Sequence, residues 1–433
     1  MRTESAGHGI DGWTNLTSID EAAGRPGKVL VVAALHWPFV SRLCLEMAHR
    51  GLAVHVLAPA HHALHRLGGV TTSRLGRSRR RALSGIIDTI LREQPGLVIP
   101  GDDPAGECLL AVEALCARSG EPAQRRIGTL IEQSLGPATG RALGLLKSRF
   151  VELARHEGIR IPHSQPVPDL ETLRRFLAGQ ALPAVLKLDA SHGGQGVRII
   201  HDHAAAERAF ADLRWWAGSR RWLGQGANRP GRTSHPDDAE AFSALTLQAF
   251  VPGVPANRAV FCWQGEVLRG ISVEAVQTLP ANGPASVVKL VDSPEMRTAA
   301  ERMVRRLALS GFVGFDFIRT GEGDTSYLLE MNARPTPTCH WAPGPSQDLV
   351  GALKGVLCGN RGEPVAPQPT AGAGGTIALF PQELWRDPAS PHLRAAVHDR
   401  PDHLGALVAA YRRPVPEDPL LLSEMRTRMR RGD

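Results

Sequence analysis

The spacing of apolar positions changes along the chain, and each change marks an element. Lys28–Ala34 is a short apolar run and predicts a strand, Pro38–Arg50 has helical spacing closed by Gly51, and Leu52–Pro59 predicts a second strand. A helix over Ala82–Arg92, a strand over Gly96–Pro100 and a helix over Pro104–Arg118 continue the alternation. That order is the signature of a parallel, doubly wound α/β sheet. A further helix is expected over Ala142–His156, where Leu143, Leu146, Phe150 and Leu153 are spaced 3, 4 and 3, and Gly158 ends it before Ile161 and Pro162.

The pattern then becomes mixed. Glu171–Leu177 reads as a helix, Ala184–Asp189 and Val197–Ile200 as strands either side of a glycine turn, and Ala204–Trp216 as a helix. Residues 217–241 are rich in Gly, Arg, Ser and Asp without periodicity and are expected to be a mobile insertion. Strands return at Leu245–Val251, Ala259–Trp263 and Val267–Ile271. Phe312–Ile318 and Tyr327–Asn332 flank Thr320-Gly321-Glu322-Gly323-Asp324 and predict a β-hairpin. Around Gly362–Gly375 a Pro, Gly and Ala linker precedes Thr376–Phe380 and a proline-punctuated end. The expected organisation is a disordered tail over 1–27, an α/β domain over 28–125, a larger domain over 126–360 with a subdomain near 165–245, and an appendix over 361–433.

Composition narrows the function classes. A chain of 433 residues can bury a core without metal or disulfide staples, and its six cysteines show no CxxC pair, so a reducing cytoplasm is expected. Residues 1–27 lack the apolar stretch of a signal peptide, and the longest apolar run, Val29–Val40, is broken by His36 and Pro38, so no membrane span is expected. The net charge of +7 gathers at Arg74, Arg77, Arg79, Arg80 and Arg81 and at Arg426, Arg428, Arg430 and Arg431. No aromatic residues interleave with those arginines, so solvated basic segments are favoured over nucleic-acid binding. Of 50 basic residues only Lys28, Lys147, Lys187, Lys289 and Lys354 are lysine. Where a chain otherwise prefers arginine, a retained lysine flags a need for a compact point charge, as at a phosphate, although codon bias explains the arginine excess equally well.

Three segments carry candidate chemistry. After Lys187 comes Ser191-His192-Gly193-Gly194-Gln195-Gly196, a glycine-rich turn whose backbone N–H groups could cradle phosphate; alone, such a turn is usually only a turn. In the expected hairpin, a turn centred on Gly323 sets Asp316 opposite Glu330 and Gly314 opposite Asn332. Period two then puts Asp316, Glu330 and Asn332 on one face, with Phe315, Phe317, Leu329 and Met331 on the other. Two carboxylates and an amide oxygen suit Mg²⁺, the alternative being a solvent-facing acidic hairpin. Gln248-Ala249-Phe250-Val251 ends a strand before Pro252-Gly253, where edge-exposed backbone could bind a purine ring; a buried strand is the plainer reading. Asp102 and Asp103 follow a strand end, where either a ligand contact or a helix cap is expected. No GxGxxG follows the first strand and no GxxxxGK[ST] occurs, which disfavours dinucleotide and P-loop chemistry.

Taken in order, Lys147, Lys187, the 193–196 loop, Gln248–Val251, Asp316, Glu330, Asn332 and Arg334 resemble the ATP-grasp superfamily over about residues 140–340. The resemblance implies a Rossmann-like preceding domain and a two-lobed ATP-grasp domain with an α+β lid and an antiparallel-sheet catalytic lobe. It implies that Lys147 and Lys187 contact the ATP phosphates, that Ser191, His192, Gly193, Gly194 and Gly196 form a lid over them, and that Gln248, Ala249, Phe250, Val251 and Asn257 bind the rest of the nucleotide. Glu330 would bridge two Mg²⁺ ions, with Asp316 on one and Asn332 on the other, and Arg334 would sit near the transferred phosphoryl. Arg258 and Lys289 are further candidate catalytic cations. The family's acid after the Pro-Gly turn is not matched in Val254-Pro255-Ala256-Asn257, which leaves the ribose contact unassigned.

The implied activity is an ADP-forming ligase that activates a carboxylate as an acyl phosphate for an amine, with small-molecule partners and a possible homodimer. A carboxyphosphate-forming carboxylase and a non-catalytic ATP-binding subunit are the alternatives. A zinc site at His61 and His65 lacks a third ligand, and Cys339 has no base beside it.

Overall fold

The computed structural model describes residues 25–179, 182–189, 191, 196–222, 245–279, 283–321, 325–360, 375–396, 406–407 and 410–411. Strands β1 (Arg25–Val32), β2 (Ala53–Ala58), β3 (Thr71–Arg74) and β4 (Pro95–Pro100) form a parallel sheet in the order β3-β2-β1-β4. Helices α1 (Pro38–His49), α2 (Arg79–Glu93), α3 (Asp103–Ala117) and α4 (Pro122–Leu135) surround it. Val29, Leu30, Val31 and Val32 are fully buried, with Val29 and Val31 in the core that includes α1 and Leu30 and Val32 in the one that includes α2, α3 and α4. An unbroken apolar run is what a strand covered on both faces requires. The sequence pattern did not mark α4; its Ile127, Ile131 and Leu135 pack with the first sheet, although the expected domain boundary at 125 falls inside it.

The turn after β4 is fixed by a buried carboxylate. Asp102 caps α3 through Ala105 N (2.8 Å) and also accepts from Ala34 N and Leu35 N (2.7 Å each), binding the loop after β1 to the start of α3. Asp102→Ala strands three donors, so a loss of about 2–4 kcal/mol is expected, the sum of a lost cap and desolvated N–H groups. Urea unfolding checks this; an unchanged midpoint would contradict it.

The predicted helix over 142–156 is broken. Helix α5 (Ala138–Ala142) ends, the chain turns through Leu143–Leu146, and α6 (Lys147–His156) begins afresh. A Cβ on Gly144 would lie 3.3 Å from Met331, so the chain passes close against the hairpin there. Phe150 still reaches the core, but Lys147 becomes the first residue of a helix rather than a mid-helix residue.

Next, β5 (Ser164–Pro166), α7 (Leu170–Ala178), β6 (Ala184–Leu188), β7 (Val197–Ile200), α8 (His203–Trp222) and β8 (Leu245–Ala249) build an antiparallel lobe in the order β5-β8-β6-β7. Of the expected insertion, residues 217–222 extend α8, and the rest lies outside the described residues. The second antiparallel sheet has six strands, β9 (Val254–Trp263), β10 (Glu266–Thr278), β11 (Ala285–Leu290), β12 (Gly311–Thr320), β13 (Thr325–Asn332) and β14 (Thr376–Ala378), in the order β13-β12-β9-β10-β11-β14. Helix α9 (Pro294–Arg306) packs on one face with α6, and α10 (Leu349–Leu357) lies on the other, where the core runs on into the first sheet. Helices α11 (Gln382–Arg386) and α12 (Pro391–Ala396) follow.

From the expected appendix, β14 joins the edge of the large sheet, and Leu407 and Ala410 enter the core shared with β1. The buried Arg42 of α1 donates to the carbonyls of Phe380 and Pro337 and to Gln382 Oε1, fastening the first sheet's layer to this segment.

Candidate functional site

The hairpin of β12 and β13 pairs Gly314 with Asn332 and Asp316 with Glu330, the register that the sequence predicts. Beyond that point it slips by one: Phe317 pairs with Leu328, which makes Leu329 the extra residue of a β-bulge. The correction is local. Leu328, not Leu329, shares the apolar face with Phe315, Phe317 and Met331, while the two acids stay opposite each other. A Cβ on Gly314 would sit 2.1 Å from Thr336 Cγ2, so glycine is required because the chain after β13 folds back across it.

Thr336 Oγ1 donates to Asn257 Oδ1 (3.1 Å), Asn257 Nδ2 donates to Asp316 Oδ1 (2.7 Å), and Asn332 Nδ2 donates to Asp316 Oδ2 (2.8 Å). Asn257, expected against the nucleotide, thus fixes the orientation of Asp316. Lys147 reaches in from the start of α6 and its Nζ lies 2.8 Å from Glu330 Oε2. Lys187, on β6 of the other lobe, is 7% exposed, and the charges acting on it are Glu330, Lys147, Asp316 and Asp189. Three separate segments therefore bring two ammonium groups and two carboxylates together.

Their electrostatics follow from burial and crowding. Burial raises the Glu330 carboxyl, but Lys147 and Lys187 outweigh it and hold the group below the usual range. Asp316 goes the other way: burial and the neighbouring Glu330 push it up, against the hydrogen bonds from Asn257 and Asn332. Burial brings Lys187 down to about 8, partly offset by Glu330 and reinforced by Lys147. Two facing carboxylates with an amide oxygen beside them are the hard oxygen donors that a divalent cation takes. The donor set of Asp316, Glu330 and Asn332 fits such an ion in kind. One adjustment is needed, since Asn332 Oδ1 accepts from Arg334 (2.9 Å) and must turn to offer oxygen to a cation.

Arg334 is held from two sides. Its Nε and Nη2 donate to Asp103 Oδ1 (2.7 Å) and Oδ2 (3.1 Å), Nη1 donates to the Pro335 carbonyl (3.2 Å), and the guanidinium lies 4.6 Å from the Trp37 ring centroid. Asp102 is the helix cap, and Asp103 pairs with Arg334. Both Trp37 and Asp103 follow the carboxyl ends of parallel strands, β1 and β4, where ligands gather in open α/β sheets.

Other expectations change. Arg258 lies on β9 with Asn257 but points to the opposite face, where it packs over Gly270, bonds Ser272 Oγ (2.9 Å) and is acted on by Arg297, Glu301 and Asp292 around α9. Period two excludes it from the Asp316 side. Lys289 sits on β11, three strands from β12, paired with Glu274 (3.1 Å). Gln248 is interior to its sheet, flanked by β5 and β6, with Nε2 on Ser164 Oγ (3.0 Å), so the expected free edge begins only after Ala249, at the part-exposed Phe250 and Val251. Ser191 Oγ donates to the Leu188 carbonyl (2.7 Å), Gly196 abuts it, and His192, Gly193 and Gly194 lie outside the described residues.

Burial raises the Cys339 thiol to about 11, and its sulfur accepts from Thr336 N (3.2 Å), which makes it a packing residue. His65 bonds Thr72 Oγ1 (3.0 Å) and the Pro59 carbonyl (2.9 Å), and no His, Cys, Asp and Glu group able to hold a metal by itself occurs among the described residues. No described helix is long and apolar enough to cross a membrane. Trp37, Ser148, Asp189 and Thr336 are contributors that motif reading passed over. The only signal for them was adjacency: Ser148 follows Lys147, and Asp189 stands two residues after Lys187.

The family model of the ATP-grasp domain matches residues 226–338. No curated protein matches the chain. Among solved structures, the biotin carboxylase domain of the Hydrogenobacter thermophilus 2-oxoglutarate carboxylase, solved with MgADP, ADP and bicarbonate, aligns over 81% of this chain and 73% of its own, with 17% identity and a TM-score of 0.54. Campylobacter jejuni biotin carboxylase aligns over 80% and 74% with 14% identity and a TM-score of 0.54. The N5-carboxyaminoimidazole ribonucleotide synthetase of Thermus thermophilus aligns over 80% and 81% with 16% identity and a TM-score of 0.50. At these identities the likeness is one of fold, and the chain has the ATP-grasp fold, its family match covering the stretch that carries Gln248, Asn257, Asp316, Glu330, Asn332 and Arg334.

Proposed function

We infer that this protein is an ATP- and Mg²⁺-dependent ligase that converts a carboxylate to an acyl phosphate and passes the acyl group to an amine, releasing ADP and phosphate. The observation that carries this reading is the meeting of Lys147 and Lys187, from two lobes, over the Asp316 and Glu330 pair. The buried Lys187 and the half-buried Lys147, Asp316 and Glu330 face one another, and polyphosphate with divalent cations offers the lysines anions and the acids cations.

Each side chain has a part in this scheme. Lys147 and Lys187 bind phosphate oxygens, Phe250 and Val251 border the purine, and Asp316, Glu330 and Asn332 hold the cations, whose chemistry is to neutralise charge on the transferring phosphoryl. Arg334 orients the acceptor carboxylate or the transferred group from the side of the first domain. Phosphoryl transfer needs little covalent help, so position and charge supply most of the rate.

The test is Mg²⁺-dependent release of ADP and phosphate across a panel of carboxylates crossed with amines and amino acids, run with and without bicarbonate. Turnover that needs a carboxylate and an amine supports the ligase. Turnover that needs bicarbonate instead supports a carboxyphosphate-forming carboxylase, and MgADP binding without turnover under any pairing supports an ATP-binding subunit.

A linked prediction concerns protons. Lys187 titrates near 8 in the free protein, and phosphate oxygens favour its charged form. MgADP binding should therefore take up a proton increasingly as pH rises through 8, and almost none below about 7, where the lysine is already charged. Calorimetry in buffers of different ionisation enthalpy reads this directly; release of protons at pH 8.5 would contradict it.

A further inference from the structure

Asp189 has no part in the ligase scheme, yet it is 1% exposed and spends both carboxylate oxygens on one residue of another element. Its Oδ2 accepts from Ser148 Oγ (2.5 Å) and its Oδ1 from Ser148 N (3.2 Å). Ser148 is the second residue of α6, whose N-cap, Leu146, supplies no side-chain hydrogen bond. The first turn of that helix therefore takes its cap from the other lobe. Two facts of spacing give this contact its consequence. Ser148 adjoins Lys147, and Asp189 lies in the turn that directly follows the strand carrying Lys187, two residues on. The two lysines repel each other, Lys147 being one of the groups that lower Lys187. Glu330 attracts both, but a charge pair between flexible side chains does not fix where their backbones stand.

We propose that Asp189 is a positioning residue that sets the separation of the Lys147 and Lys187 ammonium groups by gripping Ser148 across the boundary between the lobes. This rests on the reading of those lysines as phosphate ligands. A carboxylate that accepts both the backbone and the hydroxyl of Ser148 fixes the start of α6 in direction as well as distance. The same contact orders the two cations before the nucleotide arrives, so less ordering remains to be done on binding.

The experiment measures MgADP affinity, kcat, KM for ATP and melting temperature for the full chain and for Asp189→Ala, Ser148→Ala, the double variant and Asp189→Asn. Each alanine variant is expected to weaken MgADP by roughly 10-fold and to raise KM for ATP more than it lowers kcat. The double variant should be no weaker than the worse single one, because both remove the same contact. Asp189→Asn, which keeps an oxygen acceptor, should recover most of the affinity. Additive losses, or a lower melting temperature with affinity unchanged, would overturn the proposal in favour of a purely structural cap. An Asn variant as weak as the Ala variant would overturn it in favour of a charge effect. If the unaltered chain binds no MgADP, the nucleotide reading itself fails and this inference falls with it.

Discussion

Glu330→Gln should lower turnover by on the order of 10²-fold or more, as is typical when preorganised charge at a transferring group is removed. The substitution keeps the shape of the side chain and removes one charge. Two ammonium groups then lose the carboxylate that acts most strongly on them: the half-buried Lys147, paired at 2.8 Å, and the buried Lys187, for which Glu330 is the foremost raising influence. Two further signatures follow. The Mg²⁺ concentration needed for half-maximal rate should rise, since one of two anionic donors is gone. Proton uptake on MgADP binding should move to lower pH, because Lys187 falls further without Glu330 beside it. Steady-state rates over a Mg²⁺ titration and calorimetry over pH check both, and a variant with near-normal turnover would remove Glu330 from the chemistry.

Arg334→Lys keeps the charge and loses the geometry. The guanidinium spends four of its five N–H groups on Asp103, Asn332 and Pro335, with Trp37 against its face. Lysine cannot make the two-pronged contact with Asp103 or stack flat on an indole. A fall in kcat/KM of on the order of 10²-fold is expected, with the larger share in kcat if the group acts on the transferring phosphoryl. Asp103→Asn provides the comparison: it leaves Arg334 present but loosely held, and should cost less than Arg334→Lys. A loss confined to melting temperature in both variants would make this pair a strut between the first domain and the hairpin. Unfolding measured alongside separates the outcomes, because breaking a buried pair is itself strongly destabilising.

The substitutions differ in what they reveal because the site is built from segments far apart in the chain. β12 and β13 supply acids, α6 and β6 supply one lysine each, and the ends of β1 and β4 supply Trp37 and Asp103. Such a site needs no movement of the hairpin, whose acids are oriented by Asn257, Asn332 and, through Asn257, Thr336. The parts that stand on different elements are the two lysines, which share Glu330 and whose segments are joined where Asp189 accepts from Ser148.

Much of this was legible without coordinates. Period two in Phe312–Ile318 and Tyr327–Asn332, with a turn between, marked a hairpin with Asp316 facing Glu330 and Gly314 facing Asn332, but the pairs next to the turn lie one residue out of that register, and the bulge at Leu329 is what sets the acids opposite each other. The apolar run Val29–Val32 determined a strand buried on both faces. Tertiary structure alone decided the rest. The bulge at Leu329, the break before Lys147, the turning away of Arg258, and the partners of Arg334 and Ser148 each depend on contacts between residues distant in sequence or on a one-residue slip, and neither leaves a periodic mark along the chain. Periodicity reports which face a residue is on; what stands opposite that face is set by packing.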